Sequence, residues 1–158
     1  MMDTKNMWEL LNQGECTLQQ IVSCNAYTKK FGITITTEDA LQLIEARKDV
    51  LMQNERIEFG ESVLPKLIYT FCDSPYLYQD NYIDMISRLQ EIFYLYKNES
   101  LDEVSDDELV ELMKDYFDGD CQGSLDYLEE TCLEAFARSV REGTTRFMGI
   151  RRTKEDEL

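Results

Sequence analysis

Apolar residues recur at helical spacing through most of this chain, and stretches that alternate in the manner of a strand are few. Thr17 precedes LQQIVSCNAYTKKF, with Gln20 three residues on and Gly32 at the end. That pattern predicts a helix opened by a capping box and stopped by glycine, with Leu18, Ile21, Val22 and Phe31 as its apolar positions. Thr36 then caps TEDALQLIEARKDVLMQN, whose acids Glu38 and Asp39 come first and whose Arg47 and Lys48 come later, as the helix dipole favours. Its predicted buried face is Ala40, Leu41, Ile44 and Leu51. Leu64, Leu67, Ile68, Phe71 and Cys72 mark another helix from about Val63, with Pro65 in its first turn and Ser74-Pro75 after it.

The strongest stripe follows Asp80, the predicted cap of the next helix. Tyr82, Ile86, Leu89, Phe93 and Tyr96 step by four and three, opposite Asp84, Arg88 and Glu91. Ser105 with Glu108 opens a further capping box, followed by Leu109, Leu112, Met113 and Tyr116, and Gly119 is the stop. Ser124 caps a last helix presenting Leu125, Leu128, Cys132, Phe136 and Val140 as far as Gly143. The expectation is an all-α bundle of five to six helices over residues 1–143 as a single domain. Residues 33–35 and 56–59 are the candidates for a minor two-stranded ribbon, and 144–158 form a basic-then-acidic tail.

Composition narrows the functional classes. The chain has 158 residues and no histidine. Ser-His-Asp and Cys-His hydrolases, His-ligated metal hydrolases and zinc deaminases therefore lack an essential group. Five cysteines, an odd number without a Cys-x-x-Cys pair, argue against a disulfide framework or zinc ribbon and read as reduced thiols. Cys24, Cys72 and Cys132 fall at core-facing helical positions. No apolar run has spanning length, and the first residues lack a signal-peptide pattern, so the expected compartment is the cytoplasm, with no membrane.

The net charge of −16 disfavours nucleic-acid binding by the body of the protein. Charge is uneven. Six cations between Arg138 and Lys154 face only Glu142, a local +5 that leaves −21 elsewhere, while ten carboxylates and one lysine lie between Glu99 and Asp120.

Two groups of residues are site candidates. Asp118-Gly-Asp120-Cys-Gln122-Gly123-Ser124-Leu125-Asp126-Tyr-Leu-Glu129 matches the EF-hand loop at positions 1, 3, 6, 8, 9 and 12, so Asp118, Asp120, Gln122, Asp126 and Glu129 are candidate Ca2+ ligands. Gln122 at position 5, Glu130 after the loop and the lack of a second loop depart from that pattern. Read without calcium, Gly119 stops one helix, Ser124 caps the next, and the acids sit where the dipole wants them. The other candidate is aromatic. Eight of 17 aromatic residues fall between Tyr69 and Tyr96, and Tyr76, Tyr78 and Tyr94 lie off the apolar stripe as a candidate partner surface. Carboxylate pairs such as Glu58/Glu61 and Asp106/Asp107 follow from 32 acids by composition alone.

The segments CNAYTKKFG, FCDSPYLYQDNY, LQEIFYLYKNES and SDDELVELMKDYFDGDCQGSLDYLEE resemble a family of small proteins from anaerobic Gram-positive bacteria, a domain of unknown function, from about Cys16 to Arg141. The resemblance implies a bacterial cytoplasmic protein and brings no activity, ligand or catalytic residue with it. The leading expectation is a non-enzymatic protein-interaction or regulatory domain with an unknown protein partner and no cofactor; a homo-oligomer is compatible with the stripe. The alternative is a single-site EF-hand-like calcium-binding domain, and the third reading a carboxylate-metal enzyme.

Overall fold

The computed structural model describes residues 16–58 and 62–143. Its elements are α1 (Leu18–Val22), α2 (Asn25–Thr28) running into a 3-10 turn (Lys29–Phe31), α3 (Thr37–Gln53), α4 (Val63–Phe71), α5 (Tyr82–Glu99), α6 (Asp106–Asp118), α7 (Leu125–Tyr127), a π-helical turn (Leu128–Cys132) and α8 (Leu133–Arg141). The fold is all-α, with no strand among the described residues. The expected tail, 144–158, lies outside them. Contacts divide the chain into two units, Met1–Glu91 and Ile92–Leu158, a boundary that falls within α5.

Local capping built most of these elements. Thr17/Gln20, Thr36/Asp39 and Ser105/Glu108 each form a reciprocal capping box, satisfying backbone N–H groups that the first helical turn leaves without partners. The first predicted helix is nevertheless broken at Ser23–Cys24. Leu18 and Phe31, expected to be inward, are exposed, while Ile21 and Cys24 are buried.

In the first unit, α3 buries Ala40, Leu43, Arg47, Val50 and Leu51. Leu41, assigned to the buried face, is 52% exposed. The buried stripe keeps Ala40 and Leu51 but runs through Leu43, Arg47 and Val50. Arg47 Nε and Nη2 donate to Glu58 Oε1 at 3.0 and 2.8 Å, with both side chains under a tenth exposed. Glu58 Oε2 also accepts from the Val63 N–H at 3.3 Å, in the first turn of α4, where the helix dipole adds to the attraction. Ser62, the cap of α4, accepts from the buried Cys16 thiol at 2.8 Å.

The expected ribbon is replaced by side-chain amides. Asn25 Nδ2 donates to Ile35 O, and Asn25 Oδ1 accepts from the Ile35 N–H. Gln79 does the same for both backbone groups of Thr34. Thr34 and Ile35 thus have their ladder bonds supplied by two amides, which present the donor and acceptor that a neighbouring strand would, while Ile33 is held by the Thr28 carbonyl and hydroxyl.

α5 starts at Tyr82, so Asp80 lies in the preceding turn. Its predicted stripe is buried throughout, together with Ile83, Gln90, Ile92, Tyr94 and Lys97. The Tyr82 hydroxyl donates to Ile68 O at 2.6 Å, and Gln90 Nε2 donates to Leu43 O at 3.3 Å.

In the second unit, Lys97 Nζ holds the Val104 carbonyl and pairs with Asp106 at 2.9 Å, across a turn in which Leu101 and Asp102 adopt positive φ. α6 buries Leu109, Val110, Met113 and Phe117. The π-turn inserts a residue between Leu128 and α8, so Leu133 is fully buried and Cys132, predicted on the stripe, is only half-buried. A π-turn shifts the backbone bonding by one residue. Here the Tyr96 hydroxyl donates to the Glu129 carbonyl within it, at 2.5 Å.

Candidate functional site

The connection between α6 and α7 is a tight turn closed by its own backbone. Cys121 N–H donates to Tyr116 O, Gly123 N–H to Phe117 O and Ser124 N–H to Cys121 O, at 2.9, 2.9 and 3.0 Å. A Cβ at Gly119 would stand 2.9 Å from Asp115 O, which is why glycine is needed where α6 stops. Gly123 has φ +85°, the left-handed geometry that an EF-hand glycine would also take.

The candidate calcium ligands do not converge in this turn. Asp118 is paired with Lys114 at 3.0 Å, Asp120 and Gln122 are exposed, and Asp126 is exposed in the first turn of α7. Glu129 is half-buried, and its carbonyl is engaged by Tyr96. Ser124 Oγ accepts from the Tyr127 N–H at 3.1 Å, so a helical turn opens at loop position 8. Among the described residues, no group of three or more cysteines and acids is placed to hold a metal ion. Of the other acids considered, Glu58 is tied to Arg47 and Asp106 to Lys97. A cleft lined by Thr17, Leu18, Gln19, Val22, Ser23 and Thr37 carries no acid.

The aromatic candidates separate cleanly. Tyr78 is 58% exposed and Tyr76 half-buried, whereas Tyr94 is buried, its ring edge-on to Phe93 at 5.0 Å. Tyr94 is therefore removed from the partner surface: α5 buries more of its circumference than a single stripe implies.

A patch that the sequence reading missed lies in the first unit. Tyr27 sits 5.5 Å from Phe31 and 5.3 Å from Tyr69, and all three rings are about two-fifths exposed. Lys30 Nζ lies 5.2 Å from the centre of the Tyr27 ring. The Tyr69 hydroxyl lies near the buried Cys24 thiol, whose interaction with it, together with burial, raises the Tyr69 pKa. The i,i+4 spacing of Tyr27 and Phe31 was visible in the sequence, but Tyr69 arrives from α4 only through folding.

Residues 20–146 match a family of unknown function (DUF6323). The chain belongs to this family. Neither curated proteins nor solved structures give a match. Membership of DUF6323 agrees with the resemblance drawn from the four sequence segments and assigns no chemistry to any residue. Among the described residues, no helix of this family member is long and apolar enough to cross a membrane.

Proposed function

We propose that this protein is a non-enzymatic cytoplasmic domain that meets a protein partner through the Tyr27–Phe31–Tyr69 patch. One observation carries this reading: the exposed Tyr27 ring meets two further exposed rings, Phe31 and Tyr69, at the surface. Tyrosine brings apolar area with little conformational entropy to lose, and aromatic residues are enriched at protein interfaces, tyrosine among their anchors. Lys30 over the Tyr27 ring, with exposed Lys29 next to it in the chain, favours a partner segment that pairs apolar side chains with carboxylates. Photo-crosslinkers replacing Phe31 and Tyr69, introduced in the source cells, should capture the same protein, and Tyr27→Ala should abolish both adducts. A crosslinker at exposed Glu111 is the control. Equal capture from Glu111, or none from the patch, would overturn the proposal.

The alternative reading is a single calcium site on Asp118, Asp120, Gln122, Asp126 and Glu129. Its support is the Asp-x-Asp spacing and the left-handed backbone at Gly123. Binding would require release of Asp118 from Lys114 and rotation of the acids toward one centre. Calorimetric titration of calcium into metal-stripped protein decides: one saturable site lost in Asp118→Ala establishes it, and absence of heat leaves the turn as a helix connection.

A further inference from the structure

Within the second unit, two thiols 11 positions apart in the sequence are brought together by the fold. Cys121 Sγ lies 3.8 Å from Cys132 Sγ, in van der Waals contact. Cys121 belongs to the turn after α6 and is buried; Cys132 ends the π-turn and is half-buried. We propose that Cys121 and Cys132 form a redox-active pair that closes to an intramolecular disulfide when a peroxide reaches Cys132.

The two backbones involved can supply the needed movement. A disulfide requires the sulfurs to approach to about 2 Å. Gln122 and Gly123, next to Cys121, already lie in the left-handed region, and Cys132 occupies a wide helical turn rather than a regular one. Both ends of the bond would therefore sit at local irregularities, where small rotations disturb the fewest regular hydrogen bonds.

Exposure sets the order of events. The Cys132 thiolate attacks one oxygen of hydrogen peroxide; the O–O bond breaks, hydroxide leaves and takes up a proton as water, and Cys132 becomes a sulfenic acid. Cys121, as thiolate, then attacks Cys132 Sγ; the S–O bond breaks and a second water leaves. Two thiols and one peroxide thus give one disulfide and two waters, the sulfurs losing two electrons and the peroxide gaining them. Contact at 3.8 Å, not acidity, assigns Cys121 to the second step. Burial, followed by the hydrogen bond and charge of Cys132, pushes its thiol up to about 12, so it is not the first nucleophile. Conversion of Cys132 to a neutral sulfenic acid removes the charge of the neighbouring thiolate, though burial and Asp120 still oppose ionisation.

The bond would tie the turn between α6 and α7 to the π-turn, alongside the half-buried Tyr116, whose pKa is raised by burial and then by Cys132, Asp120 and Cys121. This inference is independent of the aromatic patch. Cys16, Cys24 and Cys72, all buried and all in the first unit, serve as internal controls.

The test uses the full chain, reduced, then exposed under native conditions to a small excess of hydrogen peroxide, quenched and alkylated in denaturant. The expected result is loss of two of the five free thiols, with peptide mass spectrometry placing one bond between Cys121 and Cys132. Cys132→Ser should keep its four remaining thiols free, and Cys121→Ser should trap Cys132 as a sulfenic acid that dimedone labels. Circular dichroism verifies folding; should Cys121→Ser unfold, the half-exposed Cys132→Ser variant and the wild-type bond map carry the test. Five free thiols after peroxide, or bonds mapping to other cysteines or between chains, would overturn the proposal.

Discussion

Two ion pairs in this protein have the same 2.8 Å length and very different surroundings. Arg47–Glu58, in the first unit, has side chains 5% and 8% exposed; Arg141–Glu99, in the second, 33% and 44%. Bond length alone would rank them equal. Burial does not: water screens the second pair, whereas the first holds charges that cannot be left alone without a large desolvation cost. Lys97–Asp106 stands between them, at 11% and 35%. The first pair also bonds the opening turn of α4, while the second joins the ends of α5 and α8 at the surface. One is part of the core and the other decorates its edge.

Breaking the buried pair should have the largest effect. Arg47→Ala leaves the Glu58 carboxylate buried without the Arg47 guanidinium and should cost about 3–5 kcal/mol, read as a lower urea midpoint. Arg47→Met with Glu58→Leu should recover most of that loss, since the cost comes from the stranded charge. If the single variant unfolds near the wild-type midpoint, the comparison fails. Lys97→Met removes a bond to the Val104 carbonyl as well as the Asp106 pair. It should cost about 1–3 kcal/mol, the range for a buried polar group losing its partner. Arg141→Ala should change stability by less than about 1 kcal/mol, and molar salt should erase even that while leaving the Arg47 effect in place.

Alkaline pH probes the same contrast with groups that are neutral when folded. Burial, then the charges of Glu134 and Glu129, push the Tyr96 hydroxyl up to about 12 from its usual 10. A raised folded-state pKa means the folded protein holds this proton more tightly. Its contribution is complete below pH 10 and is lost as pH rises toward 12. Cys121, raised from 9 to about 12, adds to the decline with the same sign. Tyr96→Phe should flatten the fall in melting temperature across this window, while lowering stability at pH 7 by about 0.5–1.5 kcal/mol through loss of the Tyr96 hydrogen bond to the Glu129 carbonyl. An unchanged alkaline slope would place the lability elsewhere.

Much of the fold was legible in the chain itself. Thr17, Thr36, Ser105 and Ser124 each cap where the residue pattern put them, and Tyr82, Ile86, Leu89, Phe93 and Tyr96 are buried as their spacing required. These features depend on residues three and four apart, whose geometry a helix sets without outside help. The candidate sites were less legible. Tyr94 lies off the stripe in sequence yet is buried, and the acids of 118–129 follow a familiar spacing without converging.

What the sequence determined by itself was the all-α class, most of the helix starts and stops, and the exclusion of histidine chemistry. Tertiary structure decided the rest: Leu43 in place of Leu41 at the core, the arginine beside it, the amides of Asn25 and Gln79 in place of a ribbon partner, and the meetings of Tyr69 with Tyr27 and Cys121 with Cys132. The physical reason is range. Capping and periodicity satisfy backbone groups within one turn, whereas a buried charge or a side chain acting as a strand becomes favourable only once distant residues have removed the water and supplied its partner.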